Sequence, residues 1–167
     1  MNITLIGMAG VGKSLLGKAL AKKLGYGFVD VDRIIEEGLN LKLQQIIDRW
    51  GEDRFLKIEE KAVLALNRMD RTIISPGGSV VYSPRAMRFL KERSTIVFLN
   101  APIESIENRI PNQSTRGIVG LKSKKLKELF HERAALYGKY ADVTVDLPDA
   151  FDQKSILTDI LQKVFPG

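Results

Sequence analysis

The chain has no cysteine among its 167 residues. That excludes disulfides, thiolate metal sites and a cysteine nucleophile. It also lacks a secretory hydrophobic segment and any apolar run of membrane-spanning length, because Lys13, Lys18 and Lys22 interrupt the first helical stretch. No internal repeat, low-complexity tract or interdomain linker is present. With 44% hydrophobic residues and enough length for a two-sided α/β core, the expectation is a single domain over residues 1–167, cytoplasmic and monomeric, without a membrane partner. The net charge of +6 would suit an anionic partner. Its densest cluster, Lys122, Lys124, Lys125 and Lys127, has no interleaved aromatics on which bases could stack, so it reads as a solvated helix face and not as a nucleic-acid surface.

What the chain does have is Gly7-Met8-Ala9-Gly10-Val11-Gly12-Lys13-Ser14, a complete G-x-x-x-x-G-K-S phosphate loop. It follows the apolar run Ile3-Thr4-Leu5-Ile6 and opens an amphipathic helix. Glycines at this spacing let backbone N–H groups converge on phosphate oxygens, and the helix N-terminus adds partial positive charge. Lys13 would reach the outer phosphates and Ser14 would offer its hydroxyl to Mg²⁺. Residues 7–15, ending at Leu15, are the expected nucleotide-binding segment.

Short apolar or β-branched runs recur at 2–6, 28–31, 72–74, 95–99 and 143–145. Between them lie helical periods: Leu16, Ala19, Leu20 and Leu24 before Gly25, then Phe55, Ile58, Ala62, Val63 and Leu66. Alternating strands and helices predict a three-layer αβα sandwich with a five-stranded parallel sheet and its site at the strand carboxyl ends. One stretch breaks this rhythm. Residues 111–120 are polar and rich in turn formers, and a basic helix is expected to follow. The reading is a mobile lid over about 111–122 carrying Arg116, the alternative being an ordinary connection.

Asp30 and Asp32 follow the second run. Phosphoryl transfer to an alcohol needs one carboxylate for Mg²⁺ or its water and another to orient the hydroxyl; alternatively, Asp32 only caps a helix starting at Arg33. Ser75-Pro76-Gly77-Gly78-Ser79 is a turn beside the phosphate-loop strand, where a ligand could approach the Gly78 backbone. Arg109, Arg116 and Arg133 are the arginines placed near the ligands.

Taken together, the pattern resembles the shikimate kinase family over nearly the whole chain. The matching pieces are residues 7–14, Phe28-Val29-Asp30-Val31-Asp32 with Ile35-Glu36, Gly51-Glu52 with Phe55 and Glu59, Gly77-Gly78, the spacing of Arg109 and Arg116, and Arg133-Ala134-Ala135-Leu136-Tyr137. The resemblance implies a P-loop kinase fold like that of nucleoside monophosphate kinases, ATP and Mg²⁺, and shikimate as a small-molecule substrate. It implies that Asp30 belongs to the Mg²⁺ shell through water, with Ser14. Asp32 would contact substrate hydroxyls, Gly77 and Gly78 would lend backbone, Arg133 would pair with the substrate carboxylate, Arg116 would cover the phosphates and Arg109 would lie by the adenine. Catalysis would rest on Lys13, Asp32 and Arg116.

The chain departs from the family pattern at Leu56, where members carry an arginine that helps bind the carboxylate. Leu56 cannot donate a hydrogen bond. Lys57 is turned about 100° further round a helix, and Arg54 faces away still more. Smaller departures are Ser79 for a glycine, Gly117 where proline usually follows the lid arginine, and Ile47 for an aromatic. Three readings remain: a shikimate kinase, a diverged kinase whose acceptor has no carboxylate at Leu56, and a weakly active nucleotide-binding regulatory module.

Overall fold

The computed structural model describes residues 1–110 and 116–167. Five parallel strands form one sheet in the order β2-β3-β1-β4-β5. They are β1 (Asn2–Ile6), β2 (Gly27–Asp30), β3 (Thr72–Ser75), β4 (Ser94–Asn100) and β5 (Val143–Asp146). β1 and β3 are buried at every position. A strand covered on both faces shows no in-out alternation, and its buried polar side chains need partners: Asn2 donates to Met69 O and Arg93 O, and the Thr4 hydroxyl bonds that of Ser94. At the edges, β2 and β5 are partly exposed. The order reverses beside β1, and the parallel register carries the ends of β1, β2 and β3 to the same rim, where a ligand crevice belongs.

Helices cover the sheet: α1 (Lys13–Leu24), α2 (Val31–Leu39), α3 (Leu43–Trp50), α4 (Glu52–Leu64), α5 (Pro84–Arg93), α6 (Ile103–Arg109), α7 (Leu126–Tyr140) and α8 (Gln153–Val164). Leu16 and Leu20 of α1 are fully buried, and α1 stops where Gly25 turns left-handed and donates its N–H to Ala21. The stripe on α4 differs from the expectation in one telling respect. Its buried positions are Phe55, Glu59 and Val63, spaced four apart on one face, so an acid lies among the apolar residues.

Two further expectations are corrected. α2 starts at Val31, not Arg33, and its cap is Asp30, whose Oδ1 accepts from Arg33 N at 3.3 Å. Asp32 therefore sits within the first turn and is not the cap. Of the basic cluster only Lys127 lies on a helix. Lys122 and Lys124 precede α7 and Lys125 caps it in extended conformation, because the N–H groups of Ser123 and Lys124 turn back onto Gly120 O. Lys122 pairs with Asp48 at 3.2 Å, and Lys124 pairs with Glu132. No helix among the described residues is long and apolar enough to cross a membrane.

Candidate active site

The phosphate loop passes from β1 into α1 through Gly12, whose φ of 104° is a left-handed conformation that suits glycine. Met8 and Val11 bury their side chains in the core, leaving their backbone for ligand contacts. Lys13 Nζ donates to Gly7 O at 2.8 Å and Met8 O at 2.9 Å. Burial lowers its pKa to about 8, against the opposing pull of Asp32. Ser14 Oγ donates to Asp30 Oδ2 at 2.8 Å, so the strand end of β2 and the start of α1 meet through a hydroxyl and a carboxylate. A cavity of about 350 Å³ opens above them, lined by Ala9, Gly10, Gly12, Lys13, Ser14, Leu15, Asp30, Asp32, Ser75, Pro76, Arg109 and Arg116. Leu15 is exposed and forms its rim.

A second cavity adjoins the first. Asp32, Ala9 and Arg116 line both, and the second adds Leu43, Phe55, Gly77, Gly78, Ser79, Gly117, Ile118, Val119 and Arg133. Among the described residues, three buried side-chain atoms have no hydrogen-bond partner: Asp32 Oδ1, Glu59 Oε2 and Arg133 Nε. The two carboxylate oxygens crowd the Gly77 α-carbon. A Cβ there would lie 2.5 Å from Glu59 Oε2 and 2.6 Å from Asp32 Oδ1, so any side chain would force both carboxylates to shift. At Gly78 a Cβ would come within 2.9 Å of Arg133 Nη1. Burial raises the pKa of Asp32 to about 6, with Lys13 opposing. Burial raises that of Glu59 to about 7, with Asp32 adding to the shift. Glu59 Oε1 keeps one partner, the Ser79 hydroxyl at 2.7 Å.

Arg133 is 1% exposed. Its Nη2 donates to Val119 O at 2.6 Å, and its guanidinium stacks over Tyr82 at 5.3 Å. One turn on along α7, Tyr137 donates to Gly78 O at 2.5 Å, fixing the Gly77-Gly78 turn against the helix. Arg109 lies over the Phe151 ring at 5.0 Å, with Nη1 3.4 Å from Val11 O. Arg116 is exposed, and its Nη2 donates to Arg109 O at 3.3 Å. Of the expected lid, residues 111–115 lie outside the described residues; in the remainder, Ile118 and Val119 are buried. Leu56 is half-buried against the core and outside the linings of both cavities, while Arg54 and Lys57 are exposed.

The arrangement is a phosphate loop joined, through a shared wall, to a pocket offering a carboxylate on one side and a guanidinium on the other. A model of the shikimate kinase family matches residues 9–165. The chain belongs to the shikimate kinase family. A shikimate kinase of Thermodesulfovibrio yellowstonii is 37% identical over 147 residues, 87% of this chain and 84% of that protein. One from Sulfurihydrogenibium sp. is 32% identical over 163 residues, 98% of this chain and 97% of that protein. Among solved structures, shikimate kinase from Acinetobacter baumannii in complex with shikimate superposes with a TM-score of 0.90 at 28% identity, covering 99% of this chain and 93% of that one. That of Aquifex aeolicus gives 0.81 at 31% identity, covering 98% and 96%. Membership in the shikimate kinase family makes this chain a small-molecule kinase with ATP as its nucleotide, and sets aside the regulatory-module reading.

Several residues around this kinase site escaped the sequence reading. Phe151 packs under Arg109 from a loop that carries no motif, and Ser75 and Pro76, quoted only as part of a turn, line the nucleotide cavity. Glu59 was marked only as part of the family pattern, although its place on the Phe55–Val63 stripe of α4 was a signal. Tyr137 was likewise quoted without a role; it stands four residues after Arg133, the spacing that puts two side chains on one helix face.

Proposed function

We propose that this chain transfers the γ-phosphoryl group of ATP to a ring hydroxyl of shikimate, giving shikimate 3-phosphate. The observation that carries this is the pair of unpartnered buried groups in one cavity: Asp32 Oδ1, an acceptor for a hydroxyl proton, and Arg133 Nε, a donor for a carboxylate. A ligand supplying both would satisfy atoms that otherwise lie buried without a partner. The complex of the Acinetobacter baumannii relative with shikimate supports this acceptor.

In the proposed reaction the substrate hydroxyl donates to Asp32 Oδ1. Its oxygen attacks the γ-phosphorus, the bond to the β–γ bridging oxygen breaks, and ADP leaves. With a pKa of about 6, Asp32 is largely ionised at neutral pH and able to take the hydroxyl proton. Lys13 exchanges its two backbone carbonyls for phosphate oxygens, and Arg116, which lines both cavities, spans the line of transfer. Both neutralise charge that develops on the phosphoryl oxygens. Ser14 and Asp30 suit Mg²⁺, since that ion takes few protein ligands beside water and substrate phosphates. Mg²⁺ so held would supply positive charge against the outer phosphates.

Among the described residues, Arg133 is the one guanidinium buried in the acceptor cavity, because Leu56 donates nothing and Arg54 and Lys57 are exposed. A single charge-assisted contact in place of two weakens carboxylate binding by about ten- to a hundredfold. A high KM for shikimate is therefore part of the proposal. The test is a coupled ATP-consumption assay with shikimate and a panel of hydroxy acids and polyols. Saturable turnover with shikimate supports the reading; saturable turnover with another acceptor and none with shikimate overturns it in favour of the diverged kinase.

A further inference from the structure

Arg116 lies on an irregular segment, yet it must hold one place at the junction of two cavities. The residue after it is fastened. Gly117 N donates to Gln44 Oε1 at 3.1 Å, and Gly117 has a φ of 67°, a left-handed conformation that brings it against α3. A Cβ at Gly117 would lie 2.5 Å from Leu43 Cβ and 2.8 Å from Gln44 N. Proline, which the family resemblance leads one to expect here, has no N–H and a φ fixed near −65°, so it could not make this contact. Gln44 and Gly117 form a matched pair.

The amide of Gln44 is itself oriented. Its Nε2 donates to Asp48 Oδ1 at 2.9 Å, one turn along α3, leaving Oε1 to face Gly117. Asp48 pairs with Lys122 at 3.2 Å, and Glu52 Oε1 accepts from Gly120 N at 2.9 Å. The segment from Arg116 to Lys122 is thus tied at three points to α3 and the start of α4, while Leu43, beside Gln44, lines the acceptor cavity.

We propose that Gln44 is a positioning residue for phosphoryl transfer: by holding the Gly117 N–H it sets where the Arg116 guanidinium stands between nucleotide and acceptor. This rests on the transfer role given to Arg116 above. Gln44 lines neither cavity, so its effect belongs in kcat and not in binding.

The experiment measures kcat, both KM values and melting temperature for Gln44→Met, Gln44→Ala, Arg116→Ala and the double variant Gln44→Met/Arg116→Ala. Methionine keeps the length and helix preference of glutamine but accepts no such hydrogen bond. Losing one backbone contact should lower kcat by about two- to tenfold, with KM values and melting temperature nearly unchanged. In the Arg116→Ala background Gln44→Met should have no further effect, because the arginine it positions is gone. Wild-type kcat in both Gln44 variants overturns the proposal, and so does a loss that persists in the double variant. Wild-type turnover in Arg116→Ala would instead overturn the role of Arg116, and the positioning proposal with it. A slow Arg116→Ala beside unaffected Gln44 variants would leave that role standing and remove only the positioning claim.

Discussion

Replacing Glu59 with glutamine keeps the side-chain shape and an acceptor for the Ser79 hydroxyl but removes the charge. In the folded protein burial lifts the Glu59 carboxyl from its usual 4.5 to about 7, with neighbouring Asp32 adding to the shift. That displacement corresponds to a stability difference on the order of 3 kcal/mol. Its sign follows from proton binding. Between pH 4.5 and about 7 the folded chain holds this proton and the unfolded chain releases it, so stability contributed by neutral Glu59 is present below 4.5 and lost as pH rises through about 7. Glutamine carries no carboxyl to ionise and so escapes the loss. Urea unfolding of both proteins from about pH 5 to about pH 8.5 reads the difference directly. Glu59→Gln should be the more stable at the alkaline end by up to that amount, and the gap should shrink as pH falls. A difference that does not vary with pH, or a variant less stable at alkaline pH, refutes the electrostatic account of this pocket.

Lys13→Ala and Asp32→Asn should each lower kcat by on the order of 10²–10³ while circular dichroism stays unchanged, since alanine removes the cation nearest the phosphates and asparagine cannot take up the hydroxyl proton; near wild-type turnover in either would refute the roles given them. Gly78→Ala would set a methyl group 2.9 Å from Arg133 Nη1, 3.2 Å from Tyr137 Oη and 3.3 Å from Ala9 N. It should cost about 1–3 kcal/mol of stability and raise the shikimate KM, both measured on one preparation. Leu56→Arg should lower the shikimate KM by about tenfold by adding a second donor; a kcat/KM that stays flat or falls in the folded variant counts against shikimate as the acceptor.

The phosphate loop and the five strands were legible because their signals are local: a fixed glycine spacing and short apolar runs that stay apolar wherever the chain takes them. The start of α2 was not. Asp30 and Asp32 are both good caps, and only the backbone turn after β2 decides between them. The lysines at 122–125 read as helical from charge density, but Gly120 collects two N–H groups and delays α7 until Leu126. Most opaque were long-range contacts such as Phe151 beneath Arg109 and Gln44 against Gly117, where Phe151 and Gln44 stand in no motif and the pairing exists only after the sheet has brought distant segments to one rim.

Asp30 divides its work between two oxygens: Oδ2 takes the Ser14 hydroxyl and Oδ1 takes the Arg33 N–H at the start of α2. The two bonds use different oxygens. Were Ser14 to turn towards a cation, the first could be surrendered while the second still moored the helix, so rearrangement of the loop need not unseat the turn that carries Asp32. One short side chain thereby lets the nucleotide half of the site adapt while the acceptor half keeps its aim.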